Sequence, residues 1–203
     1  MSRNIIAILR GLRPEEARAM TDALIAAGIT KIEVPLNSPL PYDSIAAMLD
    51  QAKGRATVGA GTVLNTDAVA QLSTMGAQMV ISPDCNPDVI RAAKTAGMLS
   101  YPGVFTASEC FSALRAGADG LKFFPAFKLG LDGFSALKAV LPADAETYAV
   151  GGVGPADFAD WHKAGITGFG IGSSLYKPGR TVEDVARLAA ETVAAYDEAF
   201  DGK

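Results

Sequence analysis

The stretch Ala116-Gly-Ala-Asp-Gly-Leu-Lys-Phe-Phe-Pro125 contains the unit from which the chain is built. A helical segment ends at a glycine, and after two residues a short apolar run begins that closes at a proline. The same order, Ala-Gly followed by one or two residues and a strand, recurs at 27–28, 96–97 and 164–165. The pattern predicts a helix-to-strand junction that repeats along the chain.

β-type runs alternate with helical stretches over the whole sequence. The runs lie near residues 5–9, 31–35, 57–61, 78–82, 99–104, 120–125, 147–152 and 168–173. The helical stretches lie near 14–27, 41–52, 66–75, 87–96, 107–116, 131–140, 155–164 and 181–199. Such alternation gives βαβ units and a parallel sheet. It predicts an α/β fold, a compact single-domain (β/α)8 TIM barrel over residues 1–203, with a doubly wound open sheet as the alternative.

The composition indicates an ordinary globular protein. Of 203 residues, 49% are hydrophobic and 20% are charged, and the net charge is −4. Without a basic stripe, and with few aromatic residues, nucleic acid is not an expected partner. The N-terminal apolar run is too short for a secretory signal or a membrane span. We therefore predict a cytoplasmic protein without membrane contact, in which Cys85 and Cys110 are free thiols.

Lys122 lies inside a predicted buried strand, where a lysine is unusual. Desolvation disfavours the ammonium form, so the pKa of such a lysine falls and its neutral amine can form a Schiff base with a carbonyl substrate. Phe124, two residues on and on the same face, can shield the amine or line the substrate. A lysine paired with a buried carboxylate, or one reaching out from the strand end, would fit this segment equally well.

Further candidates follow other predicted strands, whose carboxyl ends a barrel gathers around one site. Arg10 can hold a carboxylate or a phosphate. Glu33 alternates with apolar neighbours and therefore points into the barrel, where burial raises its pKa and suits it to proton transfer. A structural ion pair with Lys122 or Arg10 is the alternative. The Thr62 hydroxyl, after a run of small residues, can hydrogen-bond a ligand, and Pro83 follows the fourth strand.

The last two predicted strands carry glycines, in Val150-Gly-Gly-Val-Gly-Pro155 and Gly168-Phe-Gly-Ile-Gly-Ser-Ser174. Loops after strands seven and eight of a barrel are the usual phosphate site, because glycines expose N–H groups to the anion. The second run lacks the order G-x-G-x-x-G, which argues against a dinucleotide site. His162, the only histidine, is expected on a helix surface, so neither a catalytic triad nor a zinc site can be assembled.

Taken in order, seven motifs resemble one family, the 2-keto-3-deoxy-6-phosphogluconate/6-phosphogalactonate (KDPG/KDPGal) aldolases, over essentially the full length. They are Ile8-Leu-Arg-Gly11, Glu33-Val-Pro-Leu-Asn-Ser-Pro39, Gly59-Ala-Gly-Thr-Val-Leu64, Ile81-Ser-Pro83, Leu121-Lys-Phe-Phe-Pro-Ala126, Val150-Gly-Gly-Val153 and Gly170-Ile-Gly-Ser173. The resemblance implies a lyase, a class I aldolase on a compact (β/α)8 barrel. It also implies a homotrimer that needs no metal and no cofactor.

The resemblance assigns roles to individual residues. Lys122 corresponds to the Schiff-base lysine and Glu33 to the proton shuttle. The positions that correspond to substrate-lining residues are Arg10, Thr62, Pro83, Phe124 and Val150, with Arg10 and Thr62 at the carboxylate end of the substrate. The positions that correspond to the phosphate-binding loops are Gly151, Gly152, Gly172 and Ser173.

Two positions bear on the substrate that the resemblance implies. The gluconate type has Thr before the paired glycines and Arg in the Glu33 motif, whereas this chain has Val150 and Asn37, as in the galactonate branch. We therefore expect cleavage of 2-dehydro-3-deoxy-6-phosphogalactonate to pyruvate and D-glyceraldehyde 3-phosphate. The C4 epimer, the gluconate, stays the alternative. Two further alternatives use the same barrel: a phosphosugar isomerase or epimerase, and a non-catalytic phosphosugar sensor.

Overall fold

Nine strand segments and eight α-helices alternate in the computed structural model, which describes residues 3–201. The strands are β1 (Ile5–Ile8), β2 (Lys31–Pro35), β3 (Thr57–Gly61), β4 (Met79–Ile81), β5 (Leu99–Tyr101), β6 (Gly103–Val104), β7 (Leu121–Phe123), β8 (Thr147–Val150) and β9 (Gly168–Ile171). The helices are α1 (Pro14–Ala27), α2 (Pro41–Ala52), α3 (Thr66–Thr74), α4 (Pro87–Thr95), α5 (Ala107–Ala116), α6 (Ala126–Lys138), α7 (Phe158–Lys163) and α8 (Val182–Asp201).

All strand pairs are parallel, in the order β5-β4-β3-β2-β1-β9-β8-β7-β6. β5 and β6 are two parts of one strand that is interrupted at Pro102. The backbone N–H of Asp119 donates to the carbonyl of Ser100 (3.0 Å), and that of Lys122 donates to Pro102 (2.9 Å), so the sheet closes on itself. The predicted single-domain (β/α)8 barrel is confirmed, with its fifth strand in two segments, and the open-sheet alternative is wrong.

The helix boundaries follow the proline and glycine signals closely. Pro14, Pro41 and Pro87 are the first residues of their helices, where the missing N–H costs no hydrogen bond. Gly117 ends α5 at φ +96°, a left-handed conformation that glycine adopts without a steric penalty. The structure differs from the expected helices in two places. Residues 155–157 form a 3-10 turn before α7 begins, and α6 begins at Ala126 rather than near residue 131, with a non-helical Gly130 inside it.

The two ends of the barrel sequence are neighbours in space. β1 pairs with both β2 and β9, so the first strand closes the ring against the last. Just before β1, the Arg3 guanidinium donates two hydrogen bonds to the carboxylate of Asp197 in α8, at 2.6 and 2.7 Å. Both residues therefore lie at the amino-terminal side of the strands.

Hydrophobic side chains form two separate cores. The larger one fills the space between the strands and the outer helices. The smaller one lies inside the barrel and consists of Ile6, Met79, Ile81, Tyr101, Tyr148 and Val150. Because the interior is packed in this way, open space for a ligand remains at the carboxyl ends of the strands.

Other expectations can be compared with the described residues. Cys85 and Cys110 are free thiols, as predicted. His162 is half-buried on α7: its ring packs on Phe200 with centroids 4.0 Å apart, and its Nδ1 is buried. Between residues 3 and 201, no helix combines the length and the apolar character needed to cross a membrane. No group of three or more His, Cys, Asp or Glu in that range is arranged to hold a metal ion.

Candidate active site

A cavity of about 530 Å3 opens at the carboxyl ends of the barrel strands. Its lining comes from β1, β2, β7, β8 and β9 and from the loops that follow them. Nine of the eleven residues expected in the site line it: Arg10, Glu33, Lys122, Phe124, Val150, Gly151, Gly152, Gly172 and Ser173. The barrel therefore gathers residues from distant parts of the chain around one space.

Lys122 reaches this cavity from the middle residue of β7, and it is only 8% exposed. Burial lowers the pKa of Lys122, and the positive charge of Arg10 adds to that effect, while the negative charge of Glu33 opposes it. Within the described chain, the amine makes no ion pair, and its Nζ lies 4.9 Å from the ring centroid of Phe124. The arrangement favours a neutral, nucleophilic amine over a lysine neutralised by a contacting carboxylate.

Glu33 faces the same cavity from the middle of β2. Its neighbours Ile32 and Val34 are fully buried in the outer core, so strand alternation directs Glu33 inward, as expected. Burial raises the pKa of Glu33 to about 7, against the opposing effects of Lys122 and Arg10. A carboxyl group with this pKa can both accept and donate a proton near neutrality.

The carboxyl group of Glu33 is only partly satisfied by the protein. The backbone N–H of Gly61 donates a hydrogen bond to it. Its Oε2 atom is buried and has no hydrogen-bond partner among residues 3–201. A buried polar atom of this kind is uncommon and calls for an explanation. A substrate hydroxyl in the cavity would supply the missing partner.

Arg10 stands at the mouth of the cavity, two residues after β1. Its Nη1 donates a hydrogen bond to Oδ1 of Asn37, in the turn after β2. Beside it, the N–H of Gly11 donates to the hydroxyl of Ser38 at 2.9 Å. These two bonds connect the loops after β1 and β2 and hold the guanidinium over the cavity. Its remaining N–H groups can bind an anionic group of a ligand.

The glycine loops after β8 and β9 form a second side of the cavity, next to the loop after β1. Gly151 and Gly152 both have left-handed backbones, at φ +91° and +70°. After β9, the carbonyl of Gly172 accepts hydrogen bonds from the N–H groups of residues 175 and 176, both at 2.9 Å, which curls this loop into a tight turn. Lys177 follows and lines the same cavity. Exposed N–H groups beside a lysine suit a phosphate group.

Thr62 and Pro83 are the two expected site residues that the structure does not bring into this cavity. Thr62 has a left-handed backbone, at φ +56°, so its side chain leaves the alternation of β3. It lines a neighbouring groove of about 430 Å3 together with Asn37 and Leu64. Pro83 follows β4 and is half-buried at the rim, and its carbonyl packs against Gly103.

Several residues of the site were not expected from the sequence. Asn37 bears on the substrate type in the sequence, and in the structure it also accepts a hydrogen bond from Arg10. Tyr176 and Pro178 also line the cavity, and Pro178 lies where a side chain on Gly11 would have to go. The one signal for these last two was their place directly after the glycine loop of β9.

Comparison with known proteins agrees with this geometry. A family model described as KDPG and KHG aldolase matches residues 1–190. The chain belongs to the KDPG and KHG aldolase family. As an aldolase of this family, it is a lyase.

Relatives in the family match almost end to end. The probable 2-dehydro-3-deoxy-6-phosphogalactonate aldolase of Rhizobium meliloti (strain 1021) is 52% identical over 203 residues, covering 100% of this chain and 96% of the relative. The 2-dehydro-3-deoxy-6-phosphogalactonate aldolase of Escherichia coli (strain K12) is 48% identical over 195 residues, covering 96% and 95%. A solved structure described as native KDPGal superposes with a TM-score of 0.97 at 47% identity, covering 99% and 98%.

Proposed function

We propose that this protein cleaves 2-dehydro-3-deoxy-6-phosphogalactonate to pyruvate and D-glyceraldehyde 3-phosphate through a Schiff base on Lys122. The observation that carries the proposal is a buried lysine and a buried carboxyl group with a pKa of about 7 that line one cavity. Full-length relatives named for this substrate support the choice of reaction.

The first stage forms an imine. The neutral Nζ of Lys122 attacks the C2 ketone of the substrate, and loss of water gives a protonated imine. Because burial already disfavours the ammonium form, a larger fraction of Lys122 is ready to attack than of an exposed lysine at the same pH. The positive imine then withdraws electrons from the C3–C4 bond.

The second stage breaks that bond. Glu33, directly or through a water molecule, removes the proton of the C4 hydroxyl. The C3–C4 electron pair moves to form an enamine on Lys122, and D-glyceraldehyde 3-phosphate leaves. Glu33 then returns the proton to C3, and water releases pyruvate. A pKa of about 7 matches a group that must gain and lose a proton in each cycle.

The two charged ends of the substrate correspond to the two sides of the cavity. We place the C1 carboxylate near Arg10, which Asn37 holds at the mouth. We place the phosphate at the N–H groups of Gly151, Gly152, Gly172 and Ser173, with Lys177 as its neighbouring cation. Phe124 lines the reacting centre beside Lys122. Thr62, in the neighbouring groove, and Pro83 do not line the cavity, and we assign them no contact with the bound substrate.

Val150 bears on which C4 epimer is used. It is 5% exposed, and its Cγ2 lies only 2.7 Å from where a side chain on Gly170 would begin. A valine there offers no hydroxyl to a substrate group, and one missing hydrogen bond in a buried site changes selectivity by about 1–3 kcal/mol. We expect Val150→Thr to raise kcat/KM for the gluconate epimer relative to the galactonate. If the ratio of kcat/KM for the two epimers is the same in wild type and in Val150→Thr, Val150 does not determine the choice of epimer.

The decisive experiment is trapping of the imine. The protein is incubated with pyruvate and sodium borohydride, and its intact mass is measured beside Lys122→Ala and the control Lys128→Ala, an exposed lysine in the first turn of α6 that does not line the cavity. We expect one pyruvyl adduct in wild type and in Lys128→Ala and none in Lys122→Ala. No adduct on folded wild-type protein would count against the aldolase and favour an isomerase or a sensor. Assays of both C4 epimers then identify the substrate.

The assembly is a separate proposal. We propose that the protein is a homotrimer, which rests on the resemblance of its sequence to the aldolase family. A solved structure 46% identical to this chain is described as a cage designed by fusing symmetric oligomeric domains, which supports a symmetric assembly. Sedimentation equilibrium tests this, and a mass equal to that of one chain would contradict it.

A further inference from the structure

Two tyrosines form a floor inside the barrel beneath Lys122. Tyr101 from β5 and Tyr148 from β8 meet edge to face, with ring centroids 5.2 Å apart. Both are buried, at 2% and 0% exposure. Tyr148 is the register partner of Lys122 on the neighbouring strand. The side chains of Lys122 and Tyr148 therefore leave adjacent strands on the same, inward side.

The space between the lysine and this floor is small and dry. A void of about 10 Å3 is lined by Lys122 and the two tyrosines. The rest of its lining is apolar: Ile6, Ile8, Ile81, Val150 and Gly170. A void of this size is at the lower limit for one water molecule, which would also need two to four polar partners. The lower side of Lys122 thus faces no water.

The polar end of Tyr148 is satisfied on the far side of the floor. Its hydroxyl donates to Oε2 of Glu146 at 2.8 Å and accepts from Nζ of Lys31 at 2.9 Å. Lys31 also donates to Oδ1 of Asn4 at 3.0 Å, and its Nζ lies 5.4 Å from the ring centroid of Tyr148. The rings therefore separate this charged network from the cavity above.

Two glycines, one directly before β7 and one at the start of β9, make room for the rings. A side chain on Gly120 would begin 3.0 Å from ring atoms of both tyrosines, and one on Gly168 would begin 2.6 Å from the ring of Tyr148. The rings thus fill the barrel as far as the backbone of the strands.

We propose that Tyr148, supported by Tyr101, is a positioning residue for the imine chemistry, because it seals the barrel below Lys122 and keeps water from the amine. The inference rests on the proposed function. Above the floor, the charged groups that face Lys122 are Glu33 from β2 and Arg10 after β1.

Below the floor, the hydroxyl of Tyr148 and the charges of Lys31 and Glu146 lie beyond the rings. Since burial is the largest cause of the lowered pKa of Lys122, opening the floor to water will move that pKa back towards the ordinary value of a lysine.

The test measures how fast pyruvate and sodium cyanoborohydride label Lys122 as a function of pH, with the labelled peptide quantified by mass spectrometry. It is made in a Glu33→Gln parent, so that the carboxyl group does not titrate in the same range. We expect Tyr148→Val to move the acid-side midpoint upward by about one pH unit. Tyr148→Phe keeps the ring and therefore keeps the parental midpoint.

The matched control is Phe169→Val. Phe169 is fully buried on the outer face of β9 and stacks on Phe158 at 4.0 Å, so its loss costs packing without touching the void. It is expected to leave the midpoint unchanged. Tyr101→Leu is the second floor variant if Tyr148→Val does not fold, and it should move the midpoint in the same direction.

A folded floor variant with the parental midpoint would overturn the inference, and so would an equal shift in Phe169→Val. If wild-type protein is not labelled at all, the proposed imine chemistry itself fails. If wild type is labelled and the floor variants do not shift, only the role of the floor fails.

Discussion

Gly61 lies so close to Glu33 that only a residue without a side chain fits there. A Cβ atom on Gly61 would lie 2.1 Å from Oε2 of Glu33 and 2.4 Å from its Cδ. The same glycine donates its backbone N–H to that carboxyl group. Gly61 therefore both makes the space for the proton-transfer group and fixes its position.

Gly61→Ala should displace the carboxyl group of Glu33 and lower kcat roughly a hundredfold, the usual cost of a reacting group misplaced by about 1 Å. Imine trapping with pyruvate should be reduced much less, because Lys122 keeps its place. Steady-state kinetics and adduct mass measure the two effects.

Shortening the side chain of Glu33 provides the control for this prediction. Glu33→Asp leaves space for an alanine at position 61, so the double variant Gly61→Ala/Glu33→Asp should be no slower than Glu33→Asp alone. Fully additive losses in the double-variant cycle would show that Gly61 does not act through Glu33.

Glu33 should also make the stability of the fold depend on pH. Its pKa is raised from 4.5 to about 7 in the folded protein, so the folded state holds the proton more tightly than the unfolded chain. The stability that this proton provides is complete below pH 4.5 and is lost as pH rises through 7, by at most about 1.4 kcal/mol per pH unit in that interval.

Urea unfolding of wild type and Glu33→Gln at pH 5 and pH 8 measures this effect. Between pH 5 and pH 8, the free energy of unfolding of the wild type should fall by about 2–3 kcal/mol more than that of Glu33→Gln. If the free energy of unfolding falls equally in wild type and in Glu33→Gln between these pH values, the pKa of Glu33 is not raised in the folded protein.

Asn37 should act on binding through Arg10, because it accepts a hydrogen bond from that guanidinium. Asn37→Ala leaves Arg10 without this support, and we expect KM for pyruvate in imine trapping to rise about tenfold, the effect of losing roughly 1.4 kcal/mol. Acetone lacks the carboxylate and is the control ligand, so its trapping should not change. A similar loss with both ligands would place the defect elsewhere.

Gly152 should be needed for the phosphate end of the substrate. Its backbone is left-handed, and a Cβ there would lie 2.7 Å from Cβ of Phe127. Gly152→Ala should raise KM for the phosphorylated substrate about tenfold through lost N–H contacts, while pyruvate trapping is unaffected.

Gly154→Ala is the matched control, because the nearest atoms to its Cβ would be 3.9 Å away in Ser174 and its φ is −146°. It should behave as wild type. If Gly154→Ala raised KM as much as Gly152→Ala, general loop disturbance would explain both.

The features that could be predicted from the sequence are those that depend on local pattern. Period-two alternation placed Glu33 inside the barrel, and the apolar run around Lys122 placed that lysine on a buried strand. Proline and glycine signals located most helix ends, because their backbone preferences act within one turn.

The features that could not be predicted depend on contacts between distant segments. The break at Pro102 separates a segment in register with β4 from a segment in register with β7, and both partners are distant in sequence. The space that Gly61 leaves for Glu33, and the bond from Arg10 to Asn37, exist only once β1, β2 and β3 are neighbours. Thr62 was expected at the ligand because its strand reaches the site, but its left-handed backbone turns it into the next groove.

The bidentate pair between Arg3 and Asp197 has a consequence for engineering. It fastens the first strand to the last helix at the pole of the barrel opposite the cavity. A fusion partner or surface tether attached near either residue would lie at the end of the barrel opposite the cavity and would not block substrate entry. A short peptide could also link the segments that contain these two residues. The chain could then be circularly permuted, with new termini in a different loop and the same spatial order of strands.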